Sequence, residues 1–145
     1  MAALGSAWQF WALLAALFAA LTAIFAKVGI ENIASDYATF LRTLVVIVVL
    51  GIIVVATRQA QPLSSISPRS AIFLVLSGLA TGASWVCYFR ALKLGQASQV
   101  APVDKLSVVF VAIFGVVFLG EHLSVGGWVG VSLVAAGAVV ITLSA

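Results

Sequence analysis

Five long apolar segments, separated by short polar breaks, constrain the fold of this chain more than any other feature of its sequence. They cover about residues 8–27, 36–57, 69–93, 99–120 and 125–144. A helix of about 20 apolar residues crosses the hydrocarbon core of a bilayer. The segments are continuously apolar and lack the period-two alternation of a barrel strand. The sequence therefore predicts an all-α integral membrane protein with five transmembrane helices in a single domain, residues 1–145.

Composition excludes a water-soluble fold and a nucleic-acid partner. Hydrophobic residues make up 64% of the chain and charged residues only 8%, whereas soluble domains carry about 25% charged residues. Seven basic and four acidic side chains cannot supply a polar surface for a soluble domain of this size. The basic residues are scattered between the apolar segments and form no patch. We therefore expect the lipid bilayer to be the solvent and no nucleic acid to be bound.

The residue patterns of catalytic and metal sites are absent from the sequence. The single cysteine, Cys87, lies inside an apolar segment and has no second cysteine with which to pair. We find no Ser-His-Asp set, paired carboxylates, Cys/His ligand spacing or glycine-rich phosphate loop. The sequence therefore predicts a protein that is not an enzyme and that uses no metal and no cofactor.

Ionisable and aromatic side chains from three helices are predicted to lie at a similar depth in the membrane. Counted from the expected helix ends, Arg42, Asp104 and Tyr88 lie roughly 10 Å below one face, and Trp85 lies roughly 15 Å below it. Ionisable groups at such depth are costly and mark functional sites. The predicted substrate-binding residues are Trp85, Tyr88, Arg42, Lys105 and Thr81. Asp104 is the predicted proton-coupling carboxylate, since it is an acidic group at this depth next to the cation of Lys105.

Structural roles for the same side chains stay open at this point. Arg42 is long enough to extend its guanidinium to the lipid headgroups, or it pairs with Asp104 as a lock on the fold. Trp85 and Tyr88 could instead belong to an interfacial aromatic belt. Pro102 is the expected break in the fourth helix, because it has no N–H to donate to the carbonyl four residues earlier. Broken helices near polar side chains are typical of transporter sites.

The fifth helix carries a face of small residues. Gly126, Gly130 and Gly137 recur on one side of it, and such spacing lets two helix backbones approach closely. This face is predicted to pack against another helix, either within the chain or in a second copy.

Several stretches of the sequence resemble the EamA domain of the drug/metabolite transporter superfamily. They are residues 88–95, 97–107 and 118–121, together with Gly130. The resemblance extends over nearly the whole chain and includes the number of helices. One departure is Ser107, where a proline is common in the family. This substitution leaves the helix straighter there and moves the expected break to Pro102.

The resemblance implies a half-length transporter of a small metabolite in the cytoplasmic (inner) membrane. Members of the superfamily commonly carry two such domains in inverted orientation, with the substrate site between them, whereas this chain carries one. We therefore expect an exporter or exchanger that acts by alternating access as a homodimer, most simply an antiparallel one. Lys and Arg are nearly balanced between the two sets of loops, which permits both insertions. The alternative is a non-transporting membrane subunit, or a lipid- or partner-binding protein, that uses the glycine face of the fifth helix.

Overall fold

In the computed structural model, which describes residues 8–144, the chain is helical and contains no β-strand within that range. The helices are α1 (Trp8–Gly29), α2 (Ser35–Ala56), α3 (Pro68–Leu94), α4 (Ala97–Asp104), α5 (Ser107–Leu119) and α6 (Val125–Leu143), with a short 3-10 helix at Leu63–Ser65. Because α4 and α5 together form one span, Ala97–Leu119, five spans are long and apolar enough to cross a membrane. The predicted all-α membrane fold with five transmembrane helices is confirmed.

The described residues form two compact units. One unit, Phe25–Lys93, contains the last residues of α1 together with α2 and α3. We call it the α2–α3 unit. The other comprises the described parts of Met1–Ile24 and Leu94–Ala145, in which α6 contacts both α4 and α5.

The fourth span is interrupted one turn later than the sequence predicts. Helix α4 continues through Pro102 to Asp104. The N–H of Lys105 is shared between the carbonyls of Ala101 at 3.2 Å and Pro102 at 3.1 Å. The backbone then tightens, since the N–H of Leu106 donates to the carbonyl of Val103 at 3.0 Å, a bond between residues three apart. The chain resumes an α-helix at Ser107. The missing N–H of Pro102 is therefore tolerated inside α4, and the break falls at Lys105 and Leu106.

The turn between α5 and α6 is closed by glycines. Gly120 adopts a left-handed conformation with φ of 68° and ends α5. The next residue, Glu121, donates its N–H to the carbonyl of Gly115 at 3.1 Å, and the N–H of Gly120 donates to the same carbonyl. The Glu121 side chain also lies over Gly115, because a Cβ there would come within 2.6 Å of its Oε2 atom. In the same way, Leu123 lies over Gly127 at 2.7 Å.

Replacing Gly120 by alanine should lower the free energy of unfolding by about 1 kcal/mol, since an L-residue is strained at positive φ. The measurement is the unfolding midpoint of the purified protein in detergent. The matched control is Gly51→Ala in α2, where a new Cβ meets no atom within 4 Å. That variant should be as stable as the wild type or slightly more stable. Equal destabilisation by both substitutions would contradict this account of the turn.

Helix α3 is buried at its C-terminal end and exposed along its N-terminal half. Phe89 and Leu92 are 3% and 0% exposed, whereas Ile72 and Leu74 on the same helix are 59% and 64% exposed. Large apolar side chains that a chain leaves uncovered face lipid or another protein. The open half of α3 is where the candidate site lies.

Candidate functional site

Polar side chains join α2 to α3 at one end of the α2–α3 unit. Arg90 makes a bidentate ion pair with Asp36, with Nε to Oδ1 at 2.9 Å and Nη2 to Oδ2 at 2.6 Å. Lys93 donates from Nζ to the carbonyl oxygen of Ile33 at 2.5 Å. A planar guanidinium matches a carboxylate in this geometry, so the pair fixes orientation as well as distance. The start of α2 is thereby held against the end of α3.

A cleft of about 560 Å³ lies between α2 and α3, next to this ion pair. Each helix contributes residues spaced three or four apart, which therefore share one helix face. The lining residues of the cleft are Asp36, Thr39, Phe40 and Thr43 of α2, and Leu74, Ser77, Gly78, Thr81, Gly82, Trp85 and Val86 of α3. No helix of this unit covers the exposed apolar residues along the cleft, such as Leu74.

The threonine hydroxyls in the cleft donate to their own helices. Thr43 donates to the carbonyl of Thr39 at 2.8 Å, and Thr81 to the carbonyl of Ser77 at 2.9 Å. Thr39 donates in the same way to the residue four positions earlier, at 2.9 Å. Such back-bonding is the usual way in which threonine satisfies its hydroxyl inside a helix. The walls of the cleft are therefore less polar than their composition indicates.

Arg42 extends from α2 to the aromatic side chains of α3. Its guanidinium carbon lies 4.1 Å from the ring centroid of Trp85 and 5.6 Å from that of Phe89. Both distances are within the range of a cation–π interaction. Arg42 makes no ion pair and no hydrogen bond with the described residues, and its Nη1 atom is enclosed without a partner.

Three of the predicted site residues therefore come together in the α2–α3 unit. Trp85 and Thr81 line the cleft, and Arg42 lies against the Trp85 ring. Tyr88 is half-buried one turn further along α3 and lies outside the cleft lining, but it is close enough to Arg42 to interact with it electrostatically. Their roles in substrate binding stay predictions.

Asp104 and Lys105 belong to the other unit, at the interruption of the fourth span. Lys105 donates from Nζ to Oδ2 of Asp104 at 3.0 Å. Both side chains are partly exposed, at 55% and 36% for Lys105 and Asp104 respectively. The ion-pair partner of Asp104 among the described residues is thus its neighbour in the chain.

Pairs of glycines leave open space along α6 and α3. A Cβ added at Gly130 or Gly137 of α6 meets no atom within 4 Å, and at Gly126 it meets only the Ser124 hydroxyl at 3.8 Å. The same openness holds on α3 at its own pair of glycines, residues 78 and 82. Sequence analysis missed this second pair, although its spacing of four residues is the usual signal of close helix packing.

Five apolar spans, with a partly polar cleft between two of them, define the chain as an integral membrane protein. Comparison with known proteins identifies the family within this class. The profile of the EamA-like transporter family matches residues 6–143. A protein of Sinorhizobium sp. described as an uncharacterized transporter in the cobO 3′ region is 60% identical over 140 residues, which are 97% of this chain and 99% of that relative. No solved structure matches the chain.

The chain belongs to the EamA-like transporter family. It is a membrane transporter with a single EamA domain, which confirms the resemblance that residues 88–121 carry.

Proposed function

We propose that this transporter exports or exchanges a small metabolite across the cytoplasmic membrane by alternating access, as an antiparallel homodimer. The observation that carries the proposal is the α2–α3 cleft, whose lining residues come from two spans of a single repeat. Transporter sites form at the interface between two repeats, so a second copy supplies the other wall. The rival prediction, a non-transporting subunit, has less support because the matched family is one of transporters.

The proposed solute site contains Trp85 and Thr81 of the cleft lining and Arg42 on the ring of Trp85. Tyr88 and Lys105 are proposed as further contacts of the solute. The proposal for these two residues rests on their residue type and on their predicted depth in the membrane.

Asp104 is the proposed proton-coupling residue. It lies at the last residue of α4, where the fourth span is broken. Broken spans commonly carry the ion-binding groups of transporters, because their freed backbone groups line a cavity.

The positions of the glycine pairs support antiparallel pairing through α3. A two-fold axis in the membrane plane relates residues at equal distances from the midplane, so a helix contacts its own copy near its middle. Gly78 and Gly82 flank the middle of α3 (Pro68–Leu94) and have open space at the Cβ position. Gly126 and Gly130 instead lie in the first turns of α6. The α3 pair is therefore the better site for an antiparallel contact.

Antiparallel pairing predicts that each loop is accessible from both sides of the membrane. We would place single cysteines at Leu63→Cys and Leu94→Cys in a Cys87→Ser background, since Leu63 and Leu94 are 86% and 90% exposed and lie at opposite ends of α3. A membrane-impermeant maleimide should label about half of each variant in intact cells and the rest only after permeabilisation. Complete labelling of one position from one side and of the other from the opposite side would exclude antiparallel pairing. The Cys87→Ser protein, which has no cysteine, measures non-specific labelling.

A further inference from the structure

Arg42 is the most unusual side chain of the α2–α3 unit because its positive charge is unpaired. A guanidinium carries five N–H donors, and none of them is hydrogen-bonded to a described residue. The Nη1 atom is enclosed without a hydrogen-bond partner. The Trp85 and Phe89 rings offset part of the cost of placing this cation in a membrane helix. They provide no acceptor for its N–H groups.

The α2–α3 unit contains no free carboxylate for Arg42. Residues 25–93 include six basic side chains and two acidic ones, Glu31 and Asp36. Asp36 is held by two hydrogen bonds from Arg90. Glu31 lies in the loop before α2 and lines a different cavity, together with Lys27 and Lys93. The unit therefore has a surplus of positive charge, and an anion that compensates Arg42 would have to come from outside it.

The cleft beside Trp85 suits the apolar part of a ligand. Phe40, Leu74 and Val86 contribute apolar side chains to its walls. The three threonine hydroxyls of the lining already donate to backbone carbonyls. The threonines and Asp36 of the lining thus have partners within the protein. The guanidinium of Arg42, which lies on the ring of Trp85 and not in the lining itself, has no hydrogen-bond acceptor among the described residues.

We infer that the solute is an organic anion, a carboxylate attached to an apolar or aromatic group. Its carboxylate binds the guanidinium of Arg42 beside Trp85, and its apolar part lies in the α2–α3 cleft. A guanidinium and a carboxylate match in shape and charge, and the pair is stronger out of water. This inference rests on the proposed function, since it names the class of solute for the proposed site.

Two matched pairs of probes test the class of ligand. Benzoate and 3-phenylpropionate are compared with benzylammonium and 2-phenylethylammonium, which carry the same rings with the opposite charge. Binding to the purified protein in detergent is measured by calorimetry, so that transport is not required. We expect at least one carboxylate to bind at least about tenfold more tightly than its ammonium counterpart, as a charge-assisted hydrogen bond is worth about 1.5–3 kcal/mol.

Substitutions of Arg42 identify the site. Arg42→Gln should weaken carboxylate binding by about tenfold or more. Arg42→Lys should weaken it less, because it keeps the charge but loses the two-pronged geometry. Arg69→Gln, which removes an equal charge from the start of α3, should leave the affinity unchanged. Each variant is first checked for a monodisperse elution profile, and Arg42→Lys keeps the test informative if Arg42→Gln does not fold.

The inference is overturned if the ammonium probes bind as tightly as the carboxylates, if no carboxylate binds, or if Arg69→Gln weakens binding as much as Arg42→Gln does. Failure of the proposed function gives a different result. In that case a carboxylate binds through Arg42 in detergent, but proteoliposomes show no exchange of it.

Discussion

Replacing Trp85 by alanine should lower the rate of solute counterflow in proteoliposomes by about tenfold or more. The ring of Trp85 lines the α2–α3 cleft and lies 4.1 Å from the Arg42 guanidinium. Alanine removes the cleft wall and leaves the cation with only the more distant ring of Phe89 at 5.6 Å. A desolvated cation–π contact is worth about 2 kcal/mol, which corresponds to somewhat more than tenfold in rate. Trp85→Phe keeps an aromatic face and should lose only a few-fold.

The assay uses the best exchanged member of a panel of radiolabelled metabolites. Trp128→Ala is the matched control, since it removes an indole from α6, where the residue is 39% exposed. It should exchange the solute at the wild-type rate. If Trp85→Ala and Trp128→Ala slow exchange equally, or if neither does, Trp85 is not part of the solute site.

Replacing Asp104 by asparagine should abolish uphill transport driven by a pH gradient but leave solute exchange at equilibrium. Asparagine is close to aspartate in size but cannot bind and release a proton at this position. Coupling requires that protonation change the charge of the site, and here it would also break the ion pair with Lys105 at 3.0 Å. The measurement compares accumulation of solute across an imposed pH gradient with counterflow at equal pH on both sides.

Glu121→Gln supplies the matched control for Asp104→Asn. Glu121 is a second carboxylate of the same unit, exposed and lying against Gly115 in the turn after α5. It should keep its response to the pH gradient. If Glu121→Gln loses coupling to the pH gradient and Asp104→Asn retains it, the proton is carried by Glu121, and our proposal for Asp104 is wrong.

Hydropathy predicted the five spans because each apolar segment exceeds the length that a bilayer requires, and this relation needs no tertiary contact. The break in the fourth span was predicted at Pro102 but occurs at Lys105 and Leu106. A proline removes one hydrogen bond, and the sequence does not show whether the helix absorbs that loss or ends at once. In the structure the helix absorbs the loss, and the three-residue bond from the Leu106 N–H to the Val103 carbonyl marks the interruption.

The depth estimate placed Arg42 and Trp85 in a similar layer of the membrane before any contact was known. It did not identify the charge partner of Arg42 or of Asp104. Within their own units, Asp104 pairs with its chain neighbour Lys105, and Arg42 lies over the ring of Trp85. Depth fixes one coordinate of a side chain, whereas a partner depends on helix rotation and on which helices are adjacent.

The glycine face was the sequence feature most open to interpretation. Spacing alone favoured α6, yet the pair on α3 borders the cleft and lies near the middle of its span. Small residues permit two helices to pack closely, but the surface around the small residues determines which helix packs there.

The sequence by itself determined the solvent, the number of spans and the family of this transporter, because long apolar segments and short motifs are properties of consecutive residues. Only the tertiary structure decided that Arg42 stands without an ionic partner beside a cleft whose threonines are already satisfied. The reason is physical: whether a charge is paired depends on which atoms lie within about 4 Å of it, and packing sets those distances.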